Sequence, residues 1–135
     1  MTDIQAALGL SQLSRLDSFI ERRNELSERY RHLLQDLPAD MPPSATDGTL
    51  HGYHLFVIGV DNRREVFRKL RESGIGVQVH YVPVHHHSVS SDIEVPSEGF
   101  PHSDSYYERA ISIPLFPDLT HEEQDFVVDR LREIL

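Results

Sequence analysis

The first 37 residues constrain the fold most, because they carry one helical period for longer than a 135-residue chain can cover by itself. Apolar residues recur at Ile4, Leu8, Leu13, Leu16, Ile20, Tyr30, Leu34 and Leu37, with Arg22, Arg23, Glu25, Glu28 and Arg31 mostly on the other faces. Thr2 and Gln5 stand three apart, the spacing at which each side chain reaches the other's backbone N–H in a capping box. The pattern predicts one helix over residues 2–37. A helix of that length exceeds the usual globular size, so one end packs on a surface this chain does not supply, or the helix kinks near Gly9.

The remaining residues alternate strand and helix signals. Residues 38–52 are a proline-rich connector, and residues 53–60, rich in aromatic and branched side chains, predict a strand covered on both faces. Asp61 or Asn62 caps a helix over residues 63–73 that buries Val66, Phe67 and Leu70, with Gly74 as its stop. A second strand is expected over residues 76–82, an irregular loop over 85–102, one helical turn over 106–109, and a short strand at 111–113 ended by Pro114. Thr120 and Glu123 form a second capping box, opening a last helix expected to bury Phe126, Val127, Leu131 and Ile134. The expected fold is α+β, a long N-terminal helix plus a sheet of about three strands covered by helices. It is one domain, residues 1–135, made of a helix (1–37), a connector (38–52) and an α+β body (53–135).

Charge and composition exclude several functions. A net charge of −9, with no compact basic stripe, argues against nucleic acid. There is no cysteine, which removes disulfides and thiolate chemistry and suits a reducing, cytoplasmic setting. No apolar run reaches the length of a bilayer span and the N-terminus is not that of a secretory signal, so no membrane role is expected.

Catalytic chemistry is poorly provided for. Lys69 is the only lysine, and its expected place is a solvated helix face rather than the apolar pocket an imine-forming amine needs. Gly74-Ile75-Gly76 lacks the third glycine and following helix that would aim amides at a phosphate. No serine sits in a Gly-x-Ser-x-Gly elbow. The segment that stands out is residues 76–87, where His80, Tyr81 and the run His85-His86-His87 fall close together. On a strand His80 and Tyr81 point to opposite sides, one inward and one to water, so His80 is either a hydrogen-bonded core residue or a site residue. On an extended chain His85 and His87 project the same way and could share an ion with His80, His102 or His51, but no carboxylate is evident beside them, and a polar loop with incidental histidines explains the run as well.

Three segments, in order, resemble the DegT/DnrJ/EryC1/StrS aminotransferases. They are Met1-Thr2-Asp3-Ile4-Gln5-Ala6-Ala7-Leu8-Gly9 with Gln12-Leu13; His54-Leu55-Phe56-Val57, Gly74-Ile75-Gly76-Val77 and His80-Tyr81-Val82-Pro83-Val84-His85; and Ala110-Ile111-Ser112-Ile113-Pro114-Leu115-Phe116-Pro117-Asp118-Leu119-Thr120 with Glu122-Glu123. The resemblance implies the C-terminal small domain of a fold-type I, pyridoxal-phosphate-dependent enzyme that aminates a keto group on a nucleotide-linked sugar, as in polysaccharide biosynthesis. It implies a large N-terminal domain carrying the imine lysine and the phosphate site, glutamate as amino donor, and a homodimer. It makes His80, Tyr81 and His85 substrate-binding residues of the site wall, assigns no catalytic, cofactor or metal ligand to this chain, and leaves His54 a packing role. The family usually continues after His85 with a polar-aromatic stretch, and His86-His87-Ser88 departs from it. The other reading is a stand-alone α+β module that binds a metal or a partner through the histidine-rich loop.

Overall fold

The computed structural model describes residues 1–46, 48–88 and 96–135. Among the described residues there are five α-helices, α1 (Asp3–Leu13), α2 (Leu16–Leu34), α3 (Arg63–Glu72), α4 (Pro101–Arg109) and α5 (His121–Ile134), with strands β1 (Phe56–Gly59) and β2 (Ala110–Ile113) and a 3₁₀ turn at Val84–His86. The class is α+β, with a sheet smaller than expected. β1 and β2 pair antiparallel, Phe56 opposite Ile113 and Gly59 opposite Ala110. Single bridges extend each edge: Asp40 pairs with Gly59 beyond β1, and Gln78 with Ser112 beyond β2. The expected strand over residues 76–82 is therefore one bridge, because after Gln78 the chain turns toward Pro83 and the 3₁₀ turn instead of following β2.

The predicted single helix over residues 2–37 is two. The break falls at Ser14 and Arg15, not at Gly9: the Arg15 N–H bonds the Gln12 carbonyl at 3.0 Å, tightening the last turn of α1. Hydroxyls hold the break, Ser14 Oγ donating to the Ser11 carbonyl at 2.9 Å and Ser18 Oγ to that of Arg15 at 2.8 Å, the local bonding by which serine competes with helix continuity. Leu37 lies past the end of α2, in a turn before Pro38. Both predicted capping boxes form, at Thr2 with Gln5 and at Thr120 with Glu123.

The core lies between the sheet and three helices. Leu26, Tyr30 and Leu34 of α2 meet Phe56 and Ile58 of β1, Val66 and Leu70 of α3, and Val127, Val128 and Leu131 of α5. The Tyr30 and Phe56 rings lie 5.2 Å apart, and the Tyr30 hydroxyl donates to the Pro114 carbonyl at 3.0 Å. Gln124, fully buried, donates from Nε2 to the Leu26 carbonyl at 2.8 Å and accepts from Arg29 at 3.2 Å. This polar residue takes an inward position on α5, so Phe126, expected inside, is 47% exposed under the Arg130 guanidinium, and Ile134 is half-buried.

No residue of α1 is buried. Ile4 and Leu8 lie on one face and Leu10 and Leu13 nearly opposite, and all four are more than 60% exposed. Between Asp3 and Arg15 there is no charged residue. A helix that is apolar all round is one that is covered from more than one side.

Candidate functional site

The segment that resembled a site wall runs from the end of α3 to α4. Gly74 takes φ +81°, a left-handed conformation that glycine adopts without strain, and turns the chain off α3 so that Ile75 and Val77 enter the core. Gln78 then exchanges both backbone bonds with Ser112 of β2, at 3.1 and 2.8 Å. Two residues on, the half-buried His80 places Nδ1 2.8 Å from Ser112 Oγ, while Tyr81, 73% exposed, stands edge-on to it with ring centroids 4.8 Å apart. His80 is the inner and Tyr81 the outer of the pair, although neither lies in the strand expected there. Ser112 anchors His80 twice over, by backbone pairing two residues earlier and by its own hydroxyl.

Pro83 is buried and starts the 3₁₀ turn, in which the His86 N–H bonds the Pro83 carbonyl at 2.9 Å. A 3₁₀ turn does not keep the two-residue alternation of a strand. His85 is therefore joined by His86, and not by His87, His80, His102 or His51. Both Nε2 atoms approach one oxygen, Asp104 Oδ1, at 2.8 Å from His85 and 2.9 Å from His86. This carboxylate was not expected beside the histidines, since it lies 19 residues from His85 on a helix anticipated only as a turn over 106–109. Pro101 at the first helical position and Asp104 in the first turn were the available signal for α4. His54, expected to pack within a strand, lies outside β1 and is exposed. Residues 89–95 of the expected loop lie outside the described residues.

Beside the histidine turn is a cavity of about 1070 Å³ lined by α3 and α4, including Asp61, Arg63, His86, Asp104, Tyr107 and Arg109. Its charges are mostly paired: Arg109 bridges Asp40 and, at 3.3 Å, Asp61, and the Arg63 guanidinium lies 4.8 Å over the Tyr107 ring. His80 and Tyr81 are outside it.

The model of the DegT/DnrJ/EryC1/StrS aminotransferase family matches residues 1–132. The chain belongs to this family. The spore coat polysaccharide biosynthesis protein SpsC of Bacillus subtilis (strain 168) is 36% identical over 143 residues, a match covering 100% of this chain and 37% of SpsC. A DegT DnrJ EryC1 StrS aminotransferase from Brucella abortus superposes with a TM-score of 0.87 at 29% identity, over 96% of this chain and 35% of that one. The putative sugar aminotransferase Spr1654 from Streptococcus pneumoniae, in its PMP-form, gives 0.91 at 27% identity, over 99% and 35%. This DegT/DnrJ/EryC1/StrS chain thus spans about a third of the length of the relatives it matches and corresponds to one part of each.

Spr1654 has been solved in PMP- and PLP-forms, so pyridoxal phosphate is the cofactor the family implies. The described residues do not fit it. The single lysine, Lys69, lies on α3 with its amine held by Glu65 at 2.9 Å, a contact that also keeps the Glu65 carboxyl below its ordinary pKa. Gly74 ends a helix instead of opening one and aims no helix N-terminus at a phosphate.

Proposed function

We propose that this chain is the C-terminal domain of a nucleotide-sugar aminotransferase and contributes the substrate-side wall, while the cofactor and its lysine are carried by a large N-terminal domain. The carrying observation is α1, which lies within the matched region, has apolar side chains on opposed faces, and buries none of them in this chain. On this reading α1 is the helix that packs against the large domain and within a homodimer. The buried cluster of α2, β1, α3, β2 and α5 takes no residue from α1 and holds the wall.

In that wall His80 and Tyr81 face the sugar nucleotide and His85 fixes the turn behind them. Ser112 sets the ring plane of His80, so that the imidazole presents one nitrogen outward while the other is held at 2.8 Å. Tyr81 offers a phenol that needs no inward partner, suited to a hydroxyl or phosphate oxygen of the substrate. The amino group, commonly from glutamate, passes to the keto sugar at the cofactor of the complete, cytoplasmic enzyme. This chain's part is to orient the acceptor.

Such an enzyme works in two half-reactions, one with the amino donor and one with the keto sugar, and the wall touches the second. In the complete enzyme, Tyr81→Phe and His80→Ala are expected to slow the sugar half-reaction by about ten- to a hundredfold and leave the glutamate half-reaction unchanged. Single-turnover kinetics of each half read this directly. Equal loss in both halves, or in neither, overturns the assignment.

A further inference from the structure

The function proposed above leaves His86 and Asp104 unused. The His85 ring is tilted against Phe100 at 4.8 Å, the His86 ring stands edge-on to Tyr107 at 5.9 Å, and the two imidazoles meet at 75° with centroids 4.5 Å apart. These neighbours aim both Nε2 atoms at one carboxylate oxygen. Asp104 is fixed from the other side, its backbone N–H bonding the Phe100 carbonyl at 3.0 Å in the first turn of α4. One ligand atom from each of the three residues falls within 4.8 Å of the others. With both rings neutral, each has to carry its proton on Nε2 to donate to the same oxygen. A dication between the three atoms would replace both protons and use three lone pairs instead.

We propose that His85, His86 and Asp104 form a binding site for a divalent transition-metal cation, zinc being the natural occupant. Two imidazole nitrogens and one carboxylate oxygen are a borderline donor set, suited to zinc, cobalt or nickel and poorly to magnesium or calcium, which prefer oxygen. Three protein ligands leave a fourth position, and the cavity lined by His86, Asp104 and Tyr107 gives water access to it. The bound cation joins the turn after Pro83 to α4, adding to the ring contacts and the hydrogen bonds to one carboxylate that link them. The site shares His85 with the proposed wall, while His86 stands where the sequence departs from the family's pattern.

The test is zinc titration of the chelator-treated chain against a metallochromic indicator, with cobalt absorption as a second readout. The expected result is one equivalent bound at micromolar zinc, with a cobalt spectrum intense enough to mark four-coordination. Asp104→Asn and His86→Ala are each expected to weaken binding by at least about tenfold, while His51→Ala and His32→Ala leave it unchanged. His86 is exposed, so its variant keeps the fold if Asp104→Asn does not, and circular dichroism verifies both. No binding at micromolar zinc overturns the proposal. So does binding that survives loss of Asp104 and His86, or that falls equally with His51 or His32, since the metal is then held loosely by the chain's other histidines.

Discussion

Leucine-to-alanine substitutions in α1 and α2 compare one chemical change in two environments. Leu26 and Leu34 are fully buried, whereas Leu8 and Leu13 are 62% and 63% exposed. Deleting a buried leucine side chain costs about 2–5 kcal/mol, through lost transfer energy and the cavity left behind. For Leu8 or Leu13 only about a third of a leucine's roughly 1.5–3 kcal/mol of burial is at stake, and no cavity forms, so the cost is about 0.5–1 kcal/mol at most. Alanine's better helix propensity offsets part of even that. Moreover, α1 is 11 residues long, and an isolated helix below about 12–15 residues is marginal in water, so most of it frays without unfolding the body. Urea unfolding of the chain should therefore show Leu26→Ala and Leu34→Ala lowering the midpoint by about 2–5 kcal/mol equivalent, with Leu8→Ala and Leu13→Ala within about 1 kcal/mol of the parent. Amide exchange should be fast throughout α1 and slow across Leu26–Leu34. A cost above about 1.5 kcal/mol for Leu8→Ala or Leu13→Ala would refute the reasoning, because those side chains would then already be covered. In the complete enzyme the contrast should vanish, with both pairs of substitutions costing alike.

Two further substitutions test the core. Burial pushes the Tyr30 hydroxyl well above the ordinary tyrosine pKa, against a small opposing pull from Arg29. Its contribution to stability is thus complete below the unfolded value of about 10 and is lost as pH rises beyond that toward the folded value. Tyr30→Phe should cost about 1 kcal/mol at neutral pH through the lost bond to Pro114, and the gap to the parent should shrink as pH rises above about 10; a gap constant with pH in urea titrations would contradict it. Gln124→Leu keeps the volume but removes the donor to Leu26 and the acceptor for Arg29, and should cost about 1–3 kcal/mol in the same assay. Neutrality would show that the α2 to α5 contact does not depend on that bond.

What the sequence revealed and what it hid follow from how local each determinant is. Both capping boxes were legible because each joins residues three apart, and the Gly74 stop because a left-handed residue ending a helix is a glycine's place. The break at Ser14 was harder. The apolar period continues through it, and the serine hydroxyls that hold it are ordinary surface residues by composition. Phe126 misled because hydrophobicity alone cannot report that Gln124 takes the inward position by bonding a carbonyl 98 residues away.

The same distinction separates the two parts of the candidate site. His80 and Tyr81 were singled out by an expected strand and by resemblance, but that strand stops at the single Gln78 bridge, and the half-buried setting of His80 comes from its contact with Ser112 instead of from strand alternation. His85 and His86 were misread because the buried Pro83 starts a 3₁₀ turn, which rotates successive side chains by about 120° in place of the strand's 180°. Under strand geometry His85 pairs with His87; under the turn it meets His86, and only tertiary packing brings Asp104 to both. Replacing Pro83 by alanine frees φ at that point without removing a hydrogen-bond donor, since proline has none. If the turn positions the histidines, Pro83→Ala should weaken zinc binding even though every ligand remains, while the tyrosine and core substitutions leave it intact.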